Sequence, residues 1–361
     1  MKPTLTRLFM LVTFILTAVS FKANAASYAS SITNTGTAIT FILNEAATDV
    51  QIISSGGTVT NDLGALAKGV NTANLTIAGT FQIAVSSSLA SGYTQTSSDA
   101  NTFCIYDAPK GIAINTRPGS PNFGRVYIAN STAGTISGRT VQQGIYLINA
   151  DQSDALGRGN TASRNGVPYT SSTSEPWKMS IGRGDDRLYI GDFANANATI
   201  WVMDGNCIGT NSALGAGGFE TNVLGPVGVS TPTNHTDFAA SPIVTGSLDT
   251  GDLAVYCVDG SMTNSVTHVA NYNAICKWSI GSGPLPWSRG PSIIFTNTGI
   301  SSTADLNNDM DIGPDGKIFA LVNRSAGTDV NSVFVFDPNT STRLWGSLDS
   351  FGSPDTLKDA R

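Results

Sequence analysis

One pattern recurs from Asp107 onward, and it limits the fold more than any other feature of the chain. A proline opens a short apolar strand, a turn follows, then a strand with Tyr or Phe, then a third apolar strand ending near Asp or Asn. The first copy is Pro109-Lys-Gly-Ile-Ala-Ile114, Gly124-Arg-Val-Tyr-Ile-Ala-Asn130 and Gly144-Ile-Tyr-Leu-Ile-Asn149. The second is Pro176-Trp-Lys-Met-Ser-Ile181, Asp186-Arg-Leu-Tyr-Ile-Gly-Asp192 and Thr199-Ile-Trp-Val-Met-Asp204. A looser third copy uses Pro226-Val-Gly-Val229, Gly251 to Asp259 and Ala274 to Ile280, with Thr231 to Asp249 as a long insert. The fourth uses Asp309-Met-Asp-Ile312, Gly316 to Val322 and Ser332 to Asp337. Ile112, Met179, Val227 and Met310 mark the first strands on this reading. Such a unit cannot hide both of its apolar faces alone, so neighbours must stack on one another, as blades of a β-propeller do.

The copies resemble the NHL-type repeat and its bacterial β-propeller relatives, whose core reads P-x-G-I-A-[VI], then G-x-[IVL]-Y-[VI]-[AG]-[DN], then I-x-[VL]. The first two copies match well. The third departs through its insert, and the fourth lacks the opening Pro and has Phe319 in place of Tyr. The likeness covers about 250 residues and implies a fold, because propellers host many unrelated functions. Four units sit at the low end of the range of about 4–8 blades in a ring. The segment from Phe351 to Arg361 reads like a loop leading into another blade, so the expected object is an incomplete, C-terminally truncated propeller over 99–361.

Two other regions precede the repeats. Met1, Lys2 and Arg7 start the chain positively, Leu8 to Val19 is apolar, and Ala23-Asn24-Ala25 is an A-x-A cleavage site. These three features make residues 1–25 a secretory signal peptide, and the apolar run is too short to span a bilayer comfortably. No transmembrane segment is expected after its removal. Residues 26–98 read as short alternating strands, 38–43, 50–53, 74–77 and 80–85, with turn signals at Ser55-Gly56-Gly57 and Lys68-Gly69-Val70-Asn71. This stretch resembles the immunoglobulin-like domain of the bacterial flagellar-hook-cap type, with Glu45 and Gly79 at matching places, which implies a spacer or docking module. The expected fold class is all-β: a small immunoglobulin-like β-sandwich followed by an incomplete β-propeller of about four blades. Polar residues 86–101 form the linker.

Composition narrows the chemistry. Only 13% of residues are charged, and Gly numbers 38, which suits turns and short strands better than helix surfaces. Removing Lys2, Arg7 and Lys22 from the 20 bases leaves 17 against 26 acids. A net acidic surface repels phosphate backbones, so nucleic acid is a poor partner. The two histidines, His235 and His268, sit in polar loops, which disfavours triad hydrolysis and His-based zinc sites. Cys104, Cys207, Cys257 and Cys276 form no C-x-x-C. Cys257 and Cys276 fall on two strands joined by a loop and are expected neighbours, or each is a small buried apolar residue. Asp185-Asp186, Asp204-Gly205 and Pro314-Asp315-Gly316 read as turns.

The sharpest metal reading is calcium. Asp305, Asn307, Asp309 and Asp311 place oxygen ligands at alternating positions. The EF-hand register then fails, with Met310 where Gly is wanted and Gly316 where a bidentate acid is wanted. The resemblance to six-bladed calcium-dependent lactonases implies ligands at the entrances of the inner strands, where Asp107, Glu175 and Asp309 fall. An exposed Trp287 is a candidate partner contact. Two functions remain. One is an exported non-enzymatic binding or scaffold protein presenting its propeller to a protein or glycan partner. The other is a calcium-dependent propeller hydrolase, lactonase or lyase.

Overall fold

A computed structural model describes residues 27–87, 100–164, 167, 169, 175–193, 200–207, 240–247, 249–262, 272–282, 292–296, 309–321 and 333–347. Residues 1–25, expected to be a signal peptide, Asp305, Asn307, Trp287, both histidines and the segment from Phe351 lie outside the described residues. The chain is all-β. Among the described residues no helix is long and apolar enough to cross a membrane.

The first six strands are β1 (Ala29–Asn34), β2 (Ile39–Leu43), β3 (Ala47–Ser54), β4 (Val59–Leu66), β5 (Gly69–Ala73) and β6 (Phe81–Ser86). They form two three-stranded antiparallel sheets, ordered β1-β2-β5 and β4-β3-β6. Alternation sets what each sheet hides, since successive side chains on a strand point to opposite faces. Ile39, Phe41 and Leu43 of one sheet and Val50 and Ile52 of the other are fully buried in one core, with Leu63 and Ile83 against it. The strand expected at 74–77 is not one. The edge of β2 is instead paired by Gly69–Ala73, the segment expected to be a turn, with Phe41 opposite Asn71 and Ile42 opposite Val70. Gly69, at φ +101°, makes the tight entry, and Ile77 still reaches the core, its carbonyl accepting from Asn34 Nδ2.

Four antiparallel sheets follow in chain order. The first holds β7 (Pro109–Ile114), β8 (Val126–Asn130) and, after a small hairpin of β9 (Gly134–Ile136) and β10 (Arg139–Val141), β11 (Gly144–Ile148). The second holds β12 (Pro176–Ile181), β13 (Leu188–Asp192) and β14 (Ile200–Met203). The third runs β15 (Ile243–Thr245), β16 (Leu253–Met262), β17 (Tyr272–Gly281), β18 (Ser292–Thr296). The fourth runs β19 (Met310–Ile312), β20 (Ile318–Leu321), β21 (Val333–Asp337), β22 (Thr342–Gly346). Each is a meander of neighbouring strands, the topology of a propeller blade.

Stacking is visible in which side chains share a core. Ala113, Tyr127, Ala129, Ile145 and Leu147 of the first blade meet Met179, Leu188, Ile190, Trp201 and Met203 of the second. The alternate residues of that second blade, Tyr189, Ile200 and Val202, join the core shared by the third and fourth blades. A middle blade therefore spends both faces on neighbours, which is why β13 and β14 are buried at every position. The blades also touch through backbone: a Cβ on Gly111 would stand 2.3 Å from the Trp177 carbonyl oxygen, so only glycine fits between β7 and β12.

The third blade corrects the sequence reading. Its first strand is Ile243–Thr245, inside the segment expected to be an insert, and Pro226–Val229 lies outside the described residues. With Val244 in place of Val227, the inner strands at Ile112, Met179, Val244 and Met310 fall at intervals of 67, 65 and 66 residues. Cys257 and Cys276 are direct partners in the β16–β17 ladder. Cys207 is fully buried, and burial pushes its thiol far above the ordinary range.

The Asx residue that ends the second strand of the first two blades has a structural role. Asn130 Oδ1 accepts from Ala108 N, and its Nδ2 donates to the Thr132 and Gln142 carbonyls. Asp192 Oδ1 accepts from Glu175 N, and its Oδ2 accepts from Trp201 Nε1 at 2.7 Å. In both blades the side chain holds the residue just before the opening proline, which has no N–H of its own. Both are fully buried, so the bonds form in a medium where an unmade one is costly. Arg139 pins the segment 103–106 to the first blade. It is buried, donates to the Ile105 and Gly159 carbonyls and to Asn160 Oδ1, and lies beside the rings of Phe103, Tyr106 and Tyr146.

Candidate functional site

The inner strands β7, β12, β15 and β19 all border one cavity of about 660 Å³. Its wall takes Ile112 and Ile114 from the first blade, Met179 and Ile181 from the second, and Ile243 and Val244 from the third. Phe319 and Leu321 come from the fourth. The first strands touch one another in order, β7 with β12, β12 with β15 and β15 with β19, so this edge of every blade borders the cavity. Ile112, Ile114 and Phe319 are large apolar residues left 66%, 51% and 42% exposed there.

Charged groups sit at the ends of these strands. Asp309, just before β19, takes Lys178 Nζ of β12 on Oδ2 at 3.3 Å and accepts from Ser241 N on Oδ1 at 3.0 Å. One carboxylate thus ties the second, third and fourth blades together. Ser180 Oγ donates to the Pro242 carbonyl, a further bond between the second and third blades. Arg117 and Arg183, in the loops after β7 and β12, line the opposite end of the cavity. Arg117 stands 3.7 Å from Asp186 Oδ2, and Asn115 Nδ2 donates to Asp186 Oδ1. Asp311 also lines the cavity and accepts from its neighbour Ile312 N.

The three acids expected at strand entrances are found at the starts of β7, β12 and β19, but the described residues do not gather them. Asp107 is exposed and packs over Gly134, where any Cβ would strike its carboxylate. Glu175 is half-buried; burial raises its carboxyl above the ordinary range, while a hydrogen bond from Ser131 and the charge of Lys110 act against this. Lys110 Nζ lies over the Trp177 ring, 4.6 Å from its centre, and Trp177 stacks on Phe193 at 4.4 Å. Asp309 faces Lys178 rather than another acid. Of the four alternating oxygen residues, Asp309 and Asp311 are described and bond to different partners. Among the described residues no three His, Cys, Asp or Glu side chains stand together in a way that would hold a metal ion.

Arg117, Arg183, Lys178 and Ser241 were not singled out from the sequence. Their signal was positional: each stands within a few residues of an inner strand's end. Lys178 and Asp309 are 131 residues apart, and no motif joins them. The turn assignments agree with the structure: Asp185 Oδ1 accepts from Arg187 N, Asp204 Oδ1 from Asn206 N and Asp315 Oδ1 from Lys317 N.

No protein-family model matches the chain, and no curated protein does. Solved structures give distant likenesses. A point mutant of the GH43 protein BlXynB from Bacillus licheniformis superposes with a TM-score of 0.32 at 12% identity, over 83% of this chain and 49% of that one. The unmutated BlXynB gives 0.29 at 12% identity, with 83% and 49% coverage. Phage phi92 endosialidase gives 0.30 at 12% identity, over 84% of this chain and 46% of that one. The chain spans about half the length of these structures. Likeness at this level carries nothing about activity.

Proposed function

We propose that the protein is an exported β-propeller that binds a glycan in its axial cavity, with the N-terminal sandwich as a spacer or docking module. The observation that carries this reading is the exposed Phe319 ring on a wall that also bears Arg117 and Arg183. A sugar offers an apolar C–H face and a rim of hydroxyls. An exposed aromatic ring takes the first, and planar guanidinium groups supply paired donors for the second. Export rests on the Lys2 to Ala25 signal pattern. Calorimetry of the protein against a broad oligosaccharide library tests the reading. The expected result is saturable binding of at least one class, weakened about tenfold or more by Phe319→Ala. Absence of any glycan binding, or binding indifferent to Phe319→Ala and Arg183→Ala, overturns it.

Hydrolysis at the end of the propeller where the inner strands begin is a second reading, favoured by one observation. The Glu175 carboxyl holds its proton to higher pH than an ordinary glutamate, as a general acid must. A calcium-dependent form of this reading requires Asp309 to exchange the Lys178 ammonium for the metal. Product release from glycans or lactones, measured with and without added calcium and lost in Glu175→Gln, would support it. Turnover equal in wild type and Glu175→Gln would remove it.

A further inference from the structure

The loops that follow β7 and β12 carry four arginines, Arg117, Arg125, Arg183 and Arg187, against two aspartates, Asp185 and Asp186. The chain as a whole leans the other way, with 20 bases and 26 acids. Most of the loop charges are already spent. Arg187 Nη1 stands 3.3 Å from Asp185 Oδ2, which also accepts from the Tyr189 hydroxyl. Arg125 donates to the Gly205 carbonyl and to Asn206 Oδ1. Asp186 Oδ1 accepts from Asn115 Nδ2, and its Oδ2 reaches Arg117 only at 3.7 Å, longer than a hydrogen bond. Asp204 and Asp252 close their own turns on Asn206 N and Ser247 N, and neither lines the cavity. Arg183 lines the cavity, is exposed, and makes no hydrogen bond or ion pair among the described residues.

Both loops are held from several sides, so the two cavity arginines start from fixed backbones. Asn115 is fully buried; its Oδ1 accepts from Arg117 N, its carbonyl from Gly124 N, and its own N–H donates to the Arg125 carbonyl. On the far side of that loop Phe123 meets Tyr28 of the sandwich edge-on at 5.2 Å, and a Cβ on Gly124 would stand 2.6 Å from the Tyr28 ring. Around Arg183, Gly182 N donates to the Arg187 carbonyl and Asp186 N to the Gly182 carbonyl. A Cβ on Gly184 would stand 2.5 Å from Ser247 Cβ of the third blade, which wedges this turn in place. Phe319 belongs to the same end: its ring lies 3.1 Å from where a Cβ on Gly313, directly after β19, would be. Elsewhere on the wall the charge is negative. Asp309 and Asp311 line it, and the nearby Lys178 ammonium is spent on Asp309.

We infer that the saccharide this cavity takes is acidic, and that Arg117 and Arg183 hold its carboxylate. This rests on the glycan reading above and names the substrate class. A planar guanidinium matches a carboxylate with two parallel N–H bonds, which makes arginine the residue suited to a fixed carboxylate. A neutral sugar would leave the Arg183 charge without a counter-charge. Phe319 beside the arginines receives the apolar face of the same sugar ring. Asp309 and Asp311 repel a carboxylate from the rest of the wall, so the acid group points to the loops after β7 and β12.

Calorimetry of the full chain with matched pairs of oligosaccharides tests this. Each pair is a uronate oligomer (of galacturonate, glucuronate or mannuronate) and its methyl ester, which keeps the sugar and removes the charge. The acid of at least one pair should bind about tenfold or more tighter than its ester. That preference should shrink as salt rises from about 50 mM to about 500 mM. Arg183→Gln, with an unchanged circular dichroism spectrum, should bring the two members of the pair within about threefold, and Arg183→Lys should keep part of the preference. Glycans bound with no preference for the acid overturn this inference and leave the glycan reading standing. No glycan bound at all removes both. An acid preference untouched by Arg183→Gln and by Arg117→Gln puts the carboxylate elsewhere and overturns the inference as well.

Discussion

The N-terminal sandwich and the second blade use the same strands in opposite ways. In the sandwich each sheet hides one face: β3 alternates buried and half-buried positions from Val50 to Ser54, and β6 alternates half-buried and exposed ones. In the second blade β13 is buried at all five positions, one set of side chains serving the first blade and the other serving the third. A two-sheet sandwich satisfies itself. A blade has no core of its own, and its stability belongs to its neighbours. Damage to the sandwich should therefore stay local, while damage to a middle blade should travel along the stack.

The strongest way to break that contrast is Leu188→Ala. Leu188 is fully buried in the core between the first two blades, and truncation there should cost about 2–5 kcal/mol. Calorimetric unfolding should show the blade transition falling while any transition of the sandwich holds its temperature. A common fall in both would make the two regions one cooperative unit. Asp192→Ala comes next, at about 2–3 kcal/mol, because it strands the Glu175 N–H and the Trp201 indole N–H in the interior. Denaturant midpoints measure it, with Asp192→Asn as the milder partner. Gly111→Ala should cost roughly 1–3 kcal/mol by driving β7 off β12, whereas Gly36→Ala in the sandwich meets no atom and pays only for its φ of +88°.

The smallest expected effect is a pH dependence. Burial raises the Glu175 carboxyl, so the native chain holds that proton to higher pH than the unfolded chain does. Stability then falls as pH rises from the ordinary glutamate value through the raised one, and the slope has the opposite sign to that of an ion-paired acid. Glu175→Gln should flatten that part of the profile, read as denaturant midpoints between pH 4 and pH 7. Because Glu175 is only half-buried, solvent screens its charge and the change should be slight.

Much of the fold could be read from residues. Pro109, Tyr127 and Asn130 in the first blade, and Pro176, Tyr189 and Asp192 in the second, mark strands that the structure places there. The reason is physical: the proline has no N–H to pair, the tyrosine packs between blades, and the Asx side chain clasps the strand start. The third blade misled because Pro226-Val-Gly-Val matched the first copy's Pro-x-Gly, while the true inner strand, Ile243–Thr245, opens on Pro242 without that glycine, as the second opens on Pro176, and shows itself through the even spacing of about 66 residues. In the sandwich, Gly69-Val70-Asn71 looked like a turn because its glycine and asparagine favour turns. The unpaired edge of β2 decided otherwise. The cavity was the least legible part. Arg117, Arg183, Lys178 and Asp309 come from three different blades, and only stacking brings them to one space.

That stacking is open to direct chemistry. A zero-length carbodiimide joins an ammonium to a carboxylate only where the two touch, and peptide mass spectrometry identifies the joined residues. Lys317 and Asp337, 2.6 Å apart within the fourth blade, serve as the control. Blades gathered around a common axis require a second product, Lys178 of β12 linked to Asp309 at the head of β19, two blades further along. Recovery of the Lys317–Asp337 link with Lys178 joined to no residue of the fourth blade would contradict the arrangement.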